Sequence, residues 1–197
     1  MKTILHLVAA LTLATSAARA DMWSDLTPAQ QTQITAGQSV TVTTDVPGGT
    51  WPEIKIYRQV GATPAQVAAL FTDYAQAPTY IPNMLSAKVI NEPSPGVKDV
   101  EYTVKFPILQ KVSYSVRNVY AQNNSTYTVK WSLLKSTLAK SSSGSLVVEP
   151  RGNQSLMCYT NLAQPITGLA AGLKNQAIEE AQTTVIAIAT EAEKRAK

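Results

Sequence analysis

Histidine and cysteine are almost missing from this chain of 197 residues: His6 and Cys158 are the sole examples. His6 lies in an N-terminal stretch that reads as a secretory leader. Lys2 gives a short positive start, Ile4 to Ala14 an apolar run, and Ala18-Arg19-Ala20 a small-x-small cleavage site before Asp21. With residues 1–20 removed, the mature chain has no histidine. That excludes Ser-His-Asp and Cys-His nucleophilic arrangements and every histidine-based metal site. A single cysteine permits no intramolecular disulfide. Its place inside an apolar strand marks Cys158 as a small buried hydrophobe. No cysteine stands immediately after the cleavage site, so no lipid anchor is indicated, and no later run approaches the ~20 apolar residues of a membrane span. The chain reads as exported and soluble, with a bacterial periplasm as its compartment.

Charge is scarce as well, at 15% of residues. Removing Lys2 and Arg19 with the leader lowers the cations from 17 to 15 against 13 acids, a net charge of +2. The basic residues are scattered along the sequence, with no cluster except the final turn. This gives no basis for nucleic-acid binding or for a strong pull toward an anionic membrane, although transient membrane contact stays open. No motif calls for a metal or a cofactor. Two carboxylate groups, Glu179-Glu180 and Glu191 with Glu193, fall at helical angles that face mostly solvent, so no catalytic residue is assigned.

What is present is pattern. Residues 21–50 read as an N-terminal extension. Thr27-Pro28-Ala29-Gln30 is a capping box with proline at the first helical position, Gly37 stops that helix, and Ser39 to Thr44 is a short strand. Residues 51–197 form the main domain. Glu53 to Val60 alternates as a strand, and Thr63-Pro64-Ala65-Gln66 opens a helix with Val67, Leu70, Phe71 and Tyr74 on one face, predicted to end near Ala77-Pro78. Three long strands then alternate cleanly. Val100, Tyr102, Val104 and Phe106 share one face, as do Val112, Tyr114, Val116 and Tyr120, then Tyr127, Val129, Trp131 and Leu133. Such alternation means antiparallel strands with one covered and one wet face. Further strands run over Thr137 to Glu149 and Ser155 to Ala163. From Pro165 to Lys197 the apolar residues Ile166, Leu169, Leu173, Ile178, Val185 and Ile188 recur in helical steps, predicting one long helix. An antiparallel sheet with one apolar face and one amphipathic helix bury each other when the sheet curls around the helix, an α+β arrangement.

The residues Ile54-Lys-Ile-Tyr-Arg58 followed by Ala62-Thr-Pro-Ala-Gln-Val67, then Phe71-Thr-Asp-Tyr74 with Pro78 and Pro82, and Gly144-Ser-Leu-Val-Val-Glu-Pro150 leading through Tyr159 to Pro165, resemble the START-like, or Bet v 1-like (SRPBCC), superfamily. The likeness is to its bacterial polyketide cyclase/dehydrase and lipid transport members and covers about Trp51 to Lys197. It implies the helix-grip fold, a curved antiparallel sheet around a long C-terminal helix, with an apolar ligand cavity between them. It leaves function open, because carriers and cyclases share this fold.

On that reading the cavity draws on Tyr102, Val104, Phe106, Tyr114, Val116, Tyr127, Val129, Trp131, Tyr159, Leu169 and Leu173, with Phe71 and Tyr80 at an entrance. A strand's apolar face reads the same for a solid core as for a lined cavity. Tyrosine and tryptophan with polar tips favour a cavity, because buried tips need partners that ligand or water can supply. Arg58 continues the inward phase of Ile54 and Ile56. It reads either as an anion or carbonyl anchor for a ligand, or as a structural residue, paired with an acid such as Glu101 or Asp73 or exposed by strand twist at the sheet end. The expected function is an exported carrier of a hydrophobic small molecule: lipid, sterol-like or polyketide-like. The alternatives are a cyclase- or hydrolase-like enzyme acting on a hydrophobic carbonyl compound, and an interaction module that docks through residues 21–49. Loops at 77–82 and 107–110 are expected to gate the cavity, and the first half of the long helix to touch the ligand.

Overall fold

The computed structural model describes residues 21–106, 110–166 and 170–197. The leader, the centre of the 107–110 loop and Leu169 lie outside them. The elements in order are α1 (Pro28–Thr35), β1 (Val40–Thr44), β2 (Glu53–Val60), α2 (Pro64–Thr72), α3 (Ala77–Tyr80), β3 (Met84–Ser94), β4 (Val97–Phe106), β5 (Gln110–Asn123), β6 (Thr126–Ser136), β7 (Ala139–Arg151), β8 (Gln154–Pro165) and α4 (Ala170–Arg195). Eight strands make one sheet in the order β1-β2-β8-β7-β6-β5-β4-β3, antiparallel throughout. Consecutive strands β2 and β3 lie on opposite sides of that sheet, and α2 and α3 span the gap. The fold is α+β, a curved open sheet around a long C-terminal helix.

Both capping boxes form. Thr27 and Thr63 each accept from the backbone N–H three residues on, and Gln30 and Gln66 reach back. Two boundaries differ from the sequence reading. α2 stops at Thr72, and α3 is a separate turn with Pro78 inside it, because a proline cannot continue the α2 ladder. Pro165 is not the start of the long helix. It ends β8 opposite Ala139, and Ile166 donates its backbone N–H to Leu138 at 2.9 Å. Proline lacks an N–H and is tolerated at a strand end. Ile166 therefore leaves the helical stripe and is 43% exposed.

Three cores form, one of which joins Tyr74, Ala77 and Ile81 of the α2–α3 segment to Ala87 of β3 and Val100 of β4. On the concave face Ile54, Ile56 and Val60 of β2, Leu146 and Val148 of β7 and Met157 of β8 meet Val67 and Leu70 of α2 and Ala181, Val185, Ile188, Ala189 and Ala192 of α4. On the convex face Leu26, Ile34 and Val40 cover Tyr57, Leu156 and Cys158. The Arg151 guanidinium lies over the Trp23 ring at 3.2 Å, which fastens this cover to the β7–β8 turn. Residues 21–44 are thus packed on their own sheet rather than extended from it. Cys158 is buried there, and desolvation pushes its thiol up.

Candidate functional site

The concave face is filled beneath α2 and the later part of α4, and again where α3 packs on β3 and β4. α2 lies over the far end of β6 and β7, so that half is solid. Toward the other end, where the β6–β7 turn, the start of β3 and the start of α4 meet, a cavity of about 320 Å³ opens between sheet and helix. A ligand pocket needs roughly 300–1,000 Å³, so the space is molecular in size rather than a packing defect.

Its walls come from several elements. β4 contributes Tyr102 and Val104, β5 contributes Val112, Tyr114, Val116 and Asn118, and β6 contributes Trp131 and Leu133. β8 adds Tyr159 and Asn161, α2 adds Phe71, and the α3–β3 corner adds Ile81, Pro82, Asn83 and Met84. α4 lines the cavity with Leu173, Ala177, Glu180, Ala181 and Thr184. Its later residues Val185, Ile188 and Ala192 are core. Glu193 then accepts from the Gly61 N–H at 3.0 Å and ties the helix end to the β2–α2 turn.

Aromatic rings shape the interior. Trp131 packs against Tyr159 with centroids 5.2 Å apart and against Phe71 at 6.2 Å. It can lie there because Gly144, its cross-strand partner, has no side chain. A Cβ at 144 would strike the Trp131 ring and the Thr160 carbonyl oxygen. On the opposite wall Tyr102 stacks on Tyr114 at 5.5 Å, and Tyr74 meets Tyr102 edge-on at 6.4 Å.

Burial keeps these phenols protonated. Desolvation pushes Tyr74 and Tyr114 up to about 12. It raises Tyr159 further, with a contribution from Tyr114. Tyr102 is raised well above its ordinary value by burial, then by Tyr74 and Tyr114, while the Asn118 side chain opposes the rise. At neutral pH the site therefore offers hydroxyl donors, not phenolate bases.

Of the sequence-predicted residues, the cavity brings together Phe71, Tyr102, Val104, Tyr114, Val116, Trp131, Tyr159 and Leu173. Phe71 stands deep beside Trp131 rather than at the entrance. Four residues lie elsewhere. Val129 is buried on the expected face but inside the solid half, and Tyr127 packs in a tilted pair with Tyr120, centroids 6.3 Å apart, beside Ala65, Ala69 and Thr72 of α2. Tyr80 turns away from the space: its hydroxyl donates to the Leu70 carbonyl at 3.2 Å, and Arg195 stands 6.0 Å over its ring. Arg58 faces the far half of the sheet, opposite Met157, where Nη1 donates to Ser39 Oγ at 3.0 Å. It pairs with neither Glu101 nor Asp73. Phe106 closes β4 opposite Gln110, but its side chain, like Leu169, lies outside the described residues.

Three functional groups escape the sequence reading. Asn118 is 3% exposed and lines the cavity, with its Nδ2 unpartnered. Its signal was phase, since it follows Tyr114 and Val116 by steps of two. Glu180 is half-buried on the cavity side of α4. It sits at the mouth and accepts from Asn83 Nδ2 at 3.0 Å, at i+7 from Leu173 and i+3 from Ala177 on the same helical stripe. Asn83 itself adopts φ 61, a left-handed conformation that asparagine tolerates, and so turns the corner from α3 into β3. The third group is basic. The meander carries Lys105, Lys111, Lys135 and Lys140 to the mouth end, beside Lys174 in the first turns of α4, although they are scattered in sequence. All five are exposed and none forms an ion pair among the described residues. Lys105 and Lys111 stand directly opposite each other. Like charges so placed are destabilising.

Among the described residues no group of three or more His, Cys, Asp or Glu stands together to hold a metal ion. No described helix is long and apolar enough to cross a membrane.

No protein-family model matches this sequence, and neither does any curated protein sequence. Solved structures do match. A STAR-related lipid transfer protein from Xanthomonas axonopodis superposes with a TM-score of 0.70 at 11% identity, over 78% of this chain and 93% of that one. The lipid transfer and protein localization domain of human StarD13 gives 0.57 at 13%, over 81% and 95%. The Zhui aromatase/cyclase from Streptomyces sp. R1128 gives 0.56 at 16%, over 74% and 95%. The chain therefore has the START-like, helix-grip fold.

Proposed function

We propose that this protein is exported by its leader to the periplasm. There it binds one hydrophobic small molecule between the sheet and the first half of α4, as a carrier or sequestering protein. The observation that carries the reading is the cavity of about 320 Å³, walled by aromatic and aliphatic side chains where a solid core would otherwise stand. Burying ~300 Å² of apolar ligand surface there contributes on the order of 7 kcal/mol before the entropic costs of association. Support also comes from the fold, which is shared with two structures named for lipid transfer. The test is titration with a naphthylamine dye that fluoresces in apolar surroundings. The expected result is saturable one-to-one binding, reversed by competing lipids. A signal no greater than that of an unrelated protein of equal size removes the reading.

The mouth suggests where the ligand is exchanged. Exposed lysines surround it, and Leu85, Leu134 and Ile166 at the same end are 45%, 46% and 43% exposed. Lysine at about 1 kcal/mol each near an anionic bilayer, together with apolar side chains that can enter it, suits transient docking of the open end on a membrane.

A second reading, a cyclase-like catalyst, is favoured by the likeness to an aromatase/cyclase and by the tyrosine hydroxyls that face the cavity. It lacks a free base. Glu180 is the one carboxylate among the described lining residues, and it is held at the mouth by Asn83. Turnover of a polyketide or ester panel, abolished by Tyr114→Phe, would establish this reading in place of the carrier.

A further inference from the structure

The cavity changes character with depth. Near the mouth its strand walls are Val104, Val112, Leu133 and Leu138. The lining stops on β5 at Asn118 and on β6 at Trp131, and these two are cross-strand partners that form the inner end. Beyond them Val129 is fully buried, and Tyr120 lines a separate surface groove beside α2. The closed end of an apolar cavity thus holds an amide, 3% exposed, that faces the Tyr102 hydroxyl but whose Nδ2 has no acceptor at hydrogen-bond geometry. Buried donors are nearly always paired, and each exception calls for an explanation. Valine or leucine would continue the apolar alternation of β5 at no such cost.

We propose that Asn118 is the anchor of a hydrogen-bonding subsite at the inner end of the cavity, which takes a neutral acceptor oxygen, a ketone or ester carbonyl, of an otherwise apolar ligand. This rests on the carrier reading and specifies its ligand class. An amide nitrogen only donates, so the complementary atom is an acceptor. Tyr114 and Tyr159 also line the cavity, so further hydroxyl groups flank the same space. An ionised carboxylate does not suit this end. The cations nearest the cavity, Lys105 foremost, stand at the mouth, and an unpaired charge at the closed end would lose its hydration without compensation. The ligand therefore enters oxygen first, with its hydrocarbon body between Leu133 and Ala177.

The test uses the full mature chain and matched probes, fluorenone against fluorene and cyclopentadecanone against cyclopentadecane, measured by displacement of the naphthylamine dye. The expected result is that each ketone binds at least tenfold more tightly than its hydrocarbon. In Asn118→Leu, a substitution of similar shape, that ratio falls to near one while hydrocarbon affinity is kept or improved. The ligand-free variant also melts no lower than the parent, since it loses an unpaired buried donor. Equal affinities of ketone and hydrocarbon for the parent protein overturn the subsite and leave the carrier standing, the amide then serving a resident water. A tenfold ratio that survives Asn118→Leu overturns the assignment to Asn118. Binding of neither member of any pair overturns the carrier reading and the subsite with it.

Discussion

Two alanines on α4 separate an open cavity from a solid core by the sign of one measurement. Ala177 lines the cavity and is half-buried, whereas Ala189, three turns further on, is 0% exposed among Val185, Ile188 and Val67. Ala177→Leu places three more carbons in apolar space. At ~0.8 kcal/mol per buried carbon this stabilises by roughly 2.4 kcal/mol. Rotamer ordering takes back about 0.5–1 kcal/mol. The net gain of about 1.5 kcal/mol raises Tm by roughly 3–6 °C in a chain of this size. Ala189→Leu makes the same chemical change where no space exists, and overpacking costs about 1–3 kcal/mol. The assay is thermal unfolding followed by circular dichroism on delipidated protein, with dye binding measured in parallel. Ala177→Leu is expected to melt higher and bind the dye at least tenfold more weakly, and Ala189→Leu to melt lower. If both variants melt lower by similar amounts, the space beside Ala177 is filled and the reasoning fails.

Other consequences follow from the same geometry. Gly144→Ala drives a methyl into Trp131 and the Thr160 carbonyl. It is expected to lower Tm by several degrees and shift tryptophan fluorescence, and an unchanged spectrum would sink the account of the aromatic wall. Tyr74, Tyr102, Tyr114 and Tyr159 are raised above the ordinary phenol value by burial. Between pH 10 and 12 the unfolded chain releases phenol protons that the folded chain keeps, so stability is full below pH 10 and falls as pH rises through that window. Ultraviolet titration of phenolate in the native protein should show most tyrosines ionising above pH 10 and all of them together on unfolding. Lys105→Glu with Lys111→Glu is expected to abolish co-sedimentation with anionic vesicles at low salt while leaving dye binding intact. Unchanged co-sedimentation would detach the lysines from any membrane role.

Alternation in sequence told which face a strand residue takes, but not how deep along the strand it lies. Tyr102, Tyr114, Tyr127, Val129 and Trp131 all sit on the concave face as the period of two demands. Yet Tyr127 and Val129 are lost to the cavity because α2 plugs the far half, and no strand pattern contains the placement of a helix. Arg58 fails for a related reason. Its phase is inward, but β1 sets Ser39 beside it at the filled end. The lysines of the mouth were invisible in composition because hairpin connectivity, not sequence proximity, gathers them. Asn118 and Glu180 were legible in principle, one by strand phase and the other by helical phase. Each was passed over because a polar residue was expected to face water. The apolar spacing places the start of α4 too early, because the β7–β8 ladder claims Pro165 and Ile166 first.

The central claim is that this protein holds one hydrophobic molecule inside its fold. Native mass spectrometry of the protein purified gently from its own source tests that most directly. The account predicts a mass excess of a single small apolar compound at one per chain, released by organic extraction and absent from Ala177→Leu. A mass equal to that of the polypeptide alone, together with no thermal shift across a lipid and sterol panel, would contradict it.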